Sequence, residues 1–535
     1  MNRDEMLSLA RKRIEPWDMI VIGGGATGAG VAVDAATRGY ATLLLEQYDF
    51  GKGTSSRSTK LAHGGVRYLE QGNISLVMEA LKERGLLRQN APHLVSELAF
   101  VVPSYAWWEG PFYGIGLKVY QVLSGKYGFG PSQLISREET LRRLPNVNPE
   151  GLTGGVVYYD GQFDDTRLLI NLMATAAEQG ATLLNYAKVT ELHKNSAGIV
   201  DGLTWLDVET GETLEARARV VVNATGAFTD SVRHMAEPDA PSIIAPSQGA
   251  HVVLERSFLP GDTAIMVPHT SDGRVMFAIP WHGHTLVGTT DTPLKTASLE
   301  PVALEQEIDF MLETASLYLA KRPTKADILS VFAGIRPLVK AGEGKNTAAL
   351  SRDHTIRIDK SGLLSVAGGK WTTYRNMAQD CVDQAGTLGD LPDKDCVTRT
   401  LNIHGYHTNA DHFGAFAFYG SDAPAIRKLA EDKPALASPL DAQLPYIEAE
   451  VVWAAREEMA RTVEDVLARR TRALFLNAQA AVRMAPRVAT LLAQELGKDE
   501  TWRAAQIREF TQLAAGFMVR ASADVGQSSD RGFGS

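Results

Sequence analysis

Gly23-x-Gly25-x-x-Gly28 stands between the apolar run Asp18-Met-Ile-Val-Ile22 and the helix-like Val31-Ala-Val-Asp-Ala-Ala-Thr-Arg38. Glycines at that spacing bring backbone amides against a pyrophosphate. One makes the tight turn, one lets the chain approach the phosphates and one lets helix pack on strand, while the helix N-terminus supplies partial positive charge. Gly39 is the expected C-cap. A second run, Ala41-Thr-Leu-Leu-Leu-Glu46, ends in the acidic residue that would accept hydrogen bonds from an adenosine ribose. A glycine-rich turn alone is a weak signal, but strand, helix, second strand and Glu46 together read as a dinucleotide-binding unit. Two distant segments, Val220-Val-Val-Asn-Ala-Thr-Gly226 and Leu363-Leu-Ser-Val-Ala-Gly-Gly-Lys370, are again apolar runs ending in glycine. Ligands of doubly wound sheets sit outside the carboxyl ends of the strands, so three such junctions can converge on one extended cofactor. That pattern suits FAD across a discontinuous domain better than a nicotinamide domain, which normally closes within one stretch.

The elements that position these junctions need a packed core, and the composition allows one. The chain has 535 residues, 44 % of them hydrophobic, which at ~100–200 residues per domain suggests about three domains. Its 54 Lys+Arg against 63 Asp+Glu leave a formal net charge of −9, and no run of Lys and Arg is long enough to track a nucleic acid. Nucleic acid is therefore not an expected partner. Cys381 and Cys396 are the only cysteines and form no Cys-x-x-Cys. This fits a reducing compartment, argues against structural zinc or iron–sulfur clusters, and leaves redox chemistry to another carrier. Met1 to Pro16 is charged and lacks the apolar core of a signal peptide, so the chain reads as cytoplasmic. No stretch approaches the ~18–20 apolar residues of a spanning helix, which limits any expected membrane contact to the surface.

Thr54-Ser-Ser-Arg-Ser-Thr-Lys-Leu-Ala-His-Gly-Gly-Val-Arg-Tyr-Leu69 resembles the FAD-dependent glycerol-3-phosphate dehydrogenases. The likeness continues through Asp160-Gly-Gln-Phe-Asp-Asp-Thr-Arg167, Asn223-Ala-Thr-Gly226, Gly288-Thr-Thr-Asp291, Gly334-Ile-Arg-Pro337 and Gly368-Gly-Lys-Trp-Thr-Thr-Tyr-Arg375. The resemblance implies oxidation of sn-glycerol 3-phosphate to dihydroxyacetone phosphate, with electrons passing from reduced FAD to a membrane quinone at the inner face of the cytoplasmic membrane. It also implies that Thr54, Ser55, Ser56, Ser58, Lys60 and His63 wrap the FAD, joining Gly23, Gly25, Gly28, Glu46, Thr225 and Gly226. Val189 would meet the adenine side, and Gly369, Lys370, Trp371 and Thr372 the far side of the flavin. Trp371 stands where the bacterial aerobic enzymes are expected to carry leucine.

A phosphorylated substrate carries about −1.5 to −2 charge near neutral pH, so the site should gather cations despite the negative total. Arg336 offers a planar fork held by Pro337, Arg67 and Tyr68 follow the Ser/Thr loop, Arg274 opens the run Val275 to Ile279, and Lys370 caps a glycine pair. Each has an alternative reading as a surface or salt-bridge residue, and the resemblance favours Arg336 and Arg67 as substrate and catalytic groups. Oxidation removes a hydride from carbon and a proton from a hydroxyl, so a base is needed. His251, in Gln248-Gly-Ala-His251, is the first candidate, and His63 the second. Either could instead be a packed histidine. His282-Gly-His284 lacks a third ligand and is read as a hairpin turn, with no metal expected.

The expected fold class is α/β: a discontinuous Rossmann-like FAD-binding domain (1–90, 155–245 and 330–390), an inserted antiparallel β-sheet substrate domain (91–154 and 246–329) and a C-terminal helical domain (400–524), with 525–535 as a polar tail. Helical spacing is expected through Leu304, Ile308, Met311, Leu312, Ala315 and Leu319; through Val452, Ala455, Met459, Val463 and Leu467; and through Val488, Leu491, Leu492 and Leu496, ending at Gly497. Tyr105 to Lys126 mixes aromatics with Lys118 and Lys126, which suits either an interfacial membrane segment or packing on the substrate domain. An oxygen-reducing glycerol-3-phosphate oxidase and an amine or amino-acid oxidase of the same flavoprotein group remain alternatives, as does a flavin-binding protein without turnover. A homo-oligomer is compatible with the sequence.

Overall fold

The computed structural model describes residues 1–65, 69, 73–268, 270–340 and 354–519. Arg67, Tyr68 and the tail 525–535 lie outside them.

The run Trp17–Ile22 is apolar on both faces, as a central parallel strand must be, and Met19, Ile20 and Val21 are fully buried. It pairs in parallel with Thr42–Leu45 on one side and Thr213–Asn223 on the other. Thr182–Leu184 and Leu364–Gly368 extend the parallel sheet at either end, and His354–Ile358 closes one edge antiparallel. Helices Ala26–Thr37, Asp165–Glu178 and Tyr374–Leu388 cover one face. The other is covered by the antiparallel strands Ala187–Lys194 and Val200–Asp207 with helices Arg3–Lys12 and Thr229–Ala236. Gly23, Glu46, Thr225 and Gly368 thus emerge along the same carboxyl edge.

A second, ten-stranded sheet is antiparallel except where Thr263–Val267 runs parallel to Val95–Ser104. Its axis is Ile244–Glu255, flanked by His284–Gly288 and by Ile328–Val339. Two strands cross the expected boundaries. Gly154–Phe163 and Ile328–Val339 were placed by sequence mainly in the FAD-binding part, from 155 and from 330. Each instead satisfies its backbone hydrogen bonds in the second sheet, the former along Val95–Ser104 and the latter along Ile244–Glu255. The register sets Ser247 beside Arg336 and His251 beside Phe332. Helix Glu305–Tyr318 packs Ile308, Met311, Leu312 and Ala315 beneath this sheet.

Helices Ala423–Asp432, Glu448–Glu457, Ala478–Leu496 and Glu500–Ala514 form the C-terminal region, and Gly497 ends the third in the left-handed conformation, φ 63°. The stripe expected from Val452 to Leu467 is not one helix. The chain leaves the helix at Glu458, Met459 takes φ 57° and packs into the core of the parallel-sheet unit, and Leu467 lies in a separate turn, Asp465–Arg470, sharing its core with Val452 and Val463. Helix Glu109–Ser124 buries Leu117 and Tyr120 and turns Phe112, Ile115, Val119 and Val122 outward. No helix among the described residues is long and apolar enough to cross a membrane.

The C-terminal region is bolted to the parallel-sheet unit by buried charge. Asp49 accepts from Arg469 Nε at 2.5 Å and from Arg470 at 2.8 and 2.9 Å, and Arg167 meets Glu458 at 2.6 Å. Burial works against the Asp49 carboxylate, yet the two guanidiniums hold it down at about 2. Removing one partner of a buried pair typically costs about 3–5 kcal/mol. Asp49→Asn is expected to lower stability by about that amount at pH 7, measured by denaturant unfolding. Because the folded pKa is depressed, the carboxylate's contribution is complete above its ordinary value near 4 and fades as the pH falls toward 2. The gap between parent and variant should narrow over that window, and a gap unchanged by pH contradicts the assignment.

Candidate functional site

Three chambers run in series from the carboxyl edge of the parallel sheet into the second sheet. The first, about 410 Å³, is lined by Gly23, Gly25, Glu46, Thr54, Ser55, Val189, Thr225, Gly226, Gly369, Lys370 and Trp371. The second, about 230 Å³, shares Thr54, Pro337 and the Gly368–Trp371 loop with the first and adds Ser58, Thr59, His63, His251, Arg336 and Thr372. The third, about 210 Å³, shares Thr59, Leu61, His63 and Arg336 with the second and adds Arg274 and Asp291.

The first chamber has the features of a dinucleotide cradle. Gly23 adopts φ +109°, and a Cβ there would lie 2.7 Å from the Ala224 carbonyl oxygen. Gly25 caps the helix Ala26–Thr37, whose first amide, Ala26 N, donates to Ser55 Oγ at 2.9 Å. Glu46 accepts from Gly24 N at 2.7 Å and Tyr48 N at 2.9 Å while burial pushes its pKa up. It lines the cavity at the end of the second strand, where a ribose would lie.

Three expected cofactor contacts stand elsewhere. Gly28 packs helix against strand: a Cβ there would fall 1.9 Å from the Gly23 carbonyl oxygen. Ser56 is buried, its hydroxyl turned to Gly53 O at 3.4 Å. Lys60 is fully buried behind the loop, with Nζ 2.5 Å from Asp165 Oδ2 and 2.8 Å from Ser56 O. Burial pulls this ammonium down to about 7 against the pull of Asp165. Lys60 braces the loop from behind, and Ser58 Oγ donates to the same Asp165 carboxylate at 2.7 Å, while Ser58 and Thr59 border the second chamber.

On the opposite wall, Trp371 donates its indole N–H to Ser55 O at 2.9 Å, and its ring meets the edge of Phe163. A leucine at this position could not make that bond. Thr372 Oγ1 accepts from His63 N at 3.3 Å. Trp371 and Thr372 thus join their loop to the Ser/Thr loop and to His63.

Arg274 and Arg336 converge on Asp291, a residue missed as a site candidate although it lies in the Gly288-Thr-Thr-Asp291 motif. Arg274 donates to Asp291 O at 2.8 Å and pairs with its carboxylate at 3.2 Å, and Arg336 pairs with the same carboxylate at 3.1 Å. Arg336 also donates to Thr289 Oγ1 at 3.1 Å and Thr290 O at 2.9 Å. Gly249 leaves the room: a Cβ there would lie 2.5 Å from the Arg336 guanidinium. Arg274 also meets the Asp272 carboxylate at 3.5 Å, so two carboxylates hold the two guanidiniums at the third chamber.

His251, only 2 % exposed, stacks on Phe332 with 4.9 Å between ring centroids, and its Nε2 lies 2.9 Å from Thr59 Oγ1. Burial, reinforced by the positive charges of Lys60 and Arg336, holds its pKa well below the ordinary value, so the ring is neutral. His282 is spent on Asp164, 2.8 Å away, at the tight turn before His284. Among the described residues no group of three His, Cys, Asp or Glu is placed to hold a metal ion.

Comparison with known proteins bears on what this arrangement serves. A family model for FAD dependent oxidoreductases matches residues 18–375, and one for the C-terminal domain of alpha-glycerophosphate oxidase matches residues 364–503. The mitochondrial glycerol-3-phosphate dehydrogenase of Homo sapiens is 39 % identical over 549 residues, covering 96 % of this chain and 75 % of that protein. The crystal structure of a glycerol-3-phosphate dehydrogenase from Bacillus halodurans, complexed with FAD, superposes with a TM-score of 0.79 at 29 % identity, covering 96 % of this chain and 97 % of that one. An L-alpha-glycerophosphate oxidase from Mycoplasma pneumoniae shares the fold with a TM-score of 0.55 at 18 % identity, over 72 % of this chain and 98 % of that one.

The Trp371 bond sets a prediction. Losing one hydrogen bond costs about 0.5–1.5 kcal/mol, so Trp371→Phe should raise the dissociation constant of the bound flavin by about 3- to 10-fold. Titration of the apoprotein with FAD measures it, and an unaltered constant would show that the bond does not organise the site.

Proposed function

The chain belongs to the FAD-dependent oxidoreductases and within them to the glycerol-3-phosphate dehydrogenases, and from that premise we propose how its residues divide the work. The substrate is sn-glycerol 3-phosphate and the product dihydroxyacetone phosphate. FAD, when bound, would supply a two-electron acceptor for the carbon-bound hydrogen, a hydride to flavin N5. The Gly23–Gly25 turn and the amino end of Ala26–Thr37 hold its pyrophosphate, Glu46 its ribose and Val189 the adenine side, while Ser55, Lys370 and Trp371 border the flavin end. Arg274 and Arg336 hold the substrate phosphate with Asp291 fixing their separation, and the resemblance assigns Arg67 and Tyr68 to the same anion. His251 takes the hydroxyl proton, and His63 shares its chamber.

The observation that carries this reading is the continuity of the three chambers. A dinucleotide cradle opens onto a neutral buried histidine and then onto a paired-arginine anion site, in the order the reaction needs. Anaerobic mixing with glycerol 3-phosphate should bleach the flavin absorbance, and readmission of quinone should restore it. Restoration by air with stoichiometric peroxide would assign the oxidase alternative, and no bleaching at all would reject the proposal. His251→Asn should keep the flavin spectrum and lose about 10²–10⁴-fold in the rate of bleaching. Because the His251 pKa is depressed and the base acts when deprotonated, the acid limb of kcat/KM should fall below pH 6.5.

For the electron acceptor, we place quinone reduction at a membrane surface. Trp107 is 84 % exposed, and Ile115 and Val122 are each 70 % exposed on the outward face of helix Glu109–Ser124, near Lys118 and Lys126. Such a face suits insertion at headgroup depth at the inner face of the cytoplasmic membrane. Replacing Trp107 and Trp108 by Ser should abolish co-sedimentation with anionic liposomes and leave activity with an artificial acceptor intact. Retained co-sedimentation would place lipid contact elsewhere.

A further inference from the structure

We propose that Thr59 is a catalytic residue that relays the substrate hydroxyl proton to His251. The proposal rests on the reading of His251 as the base. The imidazole is closed off on both faces. Phe332 stacks on it at 4.9 Å with an interplanar angle of 15°, and Gly288 lies so close that a Cβ there would come within 2.2 Å of His251 Cδ2. Its Nδ1 is buried and has no hydrogen-bond partner among the described residues. Nε2 has one partner, Thr59 Oγ1, at 2.9 Å. A proton can therefore reach the ring through Thr59.

Thr59 is placed to collect it. His251 lines only the second chamber, whereas Thr59 lines both the second and the third and so stands on the path from the flavin side to the paired arginines. A substrate whose phosphate rests near Arg274 and Arg336 presents its carbinol to this junction. A hydroxyl donates and accepts at once. In the relay the substrate O–H bond breaks as its proton passes to Thr59 Oγ1, and the Thr59 O–H bond breaks as that proton passes to His251 Nε2. The relay uses the tautomer with the ring hydrogen on Nδ1, so that Nε2 accepts and the ring becomes imidazolium. The substrate oxygen closes the carbonyl as the two electrons of its C–H bond leave with hydride to FAD. Lys60 and Arg336 disfavour the imidazolium, so the proton returns along the same path when the product leaves.

The test uses the full-length, FAD-loaded protein and anaerobic stopped-flow reduction by glycerol 3-phosphate. Thr59→Val keeps the shape and removes the hydroxyl, and Thr59→Ser keeps the hydroxyl. Thr59→Val should slow flavin reduction by about 100-fold or more with KM changed by less than about threefold, while Thr59→Ser stays within about tenfold of the parent. Thr59→Val combined with His251→Asn should be no slower than His251→Asn alone, because both remove one step. If His251→Asn is crippled and Thr59→Val is not, the relay is wrong and the base stands. Parent-like reduction by His251→Asn would overturn the base and the relay together. Thr59→Ser as slow as Thr59→Val also overturns the relay, since packing rather than the hydroxyl would then matter. Should Thr59→Val fail to retain FAD, the parent enzyme's rate in mixtures of H2O and D2O decides: a curved dependence, from two protons in flight, supports the relay, and a straight line refutes it.

Discussion

One buried carboxylate, Asp165, carries the wall of the flavin site. It accepts from Ser58 N at 3.1 Å, Ser58 Oγ at 2.7 Å, Lys60 Nζ at 2.5 Å and Arg472 at 3.2 Å. It opens the helix Asp165–Glu178, where the helix dipole favours negative charge. The loop that presents Thr54, Ser55, Ser58 and Thr59 to the chambers is thereby held from behind by the parallel-sheet unit and by the C-terminal region. Lys60, fully buried, also lies over the rings of Trp281, Phe332 and Phe475, which help keep an ammonium where water cannot. A charge buried this deeply is tolerable only when paired, so the position of the loop and the docking of the C-terminal region are set by the same contacts.

The substrate end follows the opposite logic. There two guanidiniums face a half-open chamber, and Asp291 between them keeps them from repelling each other. The cluster is preorganised for an anion and need not be built when one arrives. Arg336 touches both the second and third chambers, and its charge adds to the burial that holds His251 neutral. A neutral buried imidazole with one outlet to the cavity suits transient proton acceptance.

Much of the cofactor site was legible because it depends on local backbone geometry. Gly23 and Gly25 line the first chamber, and Glu46, Thr225, Gly226 and Gly369 meet them there, because strand ends in a parallel sheet share one edge. What the residues could not display was side-chain direction within the Ser/Thr loop. Lys60 Nζ and Ser58 Oγ both turn to the buried carboxylate of Asp165, a direction that only the packing of that carboxylate settles. The strands Gly154–Phe163 and Ile328–Val339 were misplaced for a related reason: apolar β-branched runs reveal a strand but not which sheet will pair with it. Asp291 was missed because an acid among expected phosphate ligands looks contrary until both arginines are seen to share it.

The amino-acid sequence by itself determined the chemistry this chain carries: glycines that admit a pyrophosphate, an acid for a ribose, and the motifs that place it among FAD-dependent glycerol-3-phosphate dehydrogenases. These are properties of short segments, in which residue type and spacing dictate backbone shape. Tertiary structure alone decided which charges pair, that Trp371 ties its loop to Ser55, and that His251 Nε2 meets Thr59 Oγ1. Those outcomes join residues far apart in the chain, and their energies come from burial and distance, which exist only once the sheets have packed.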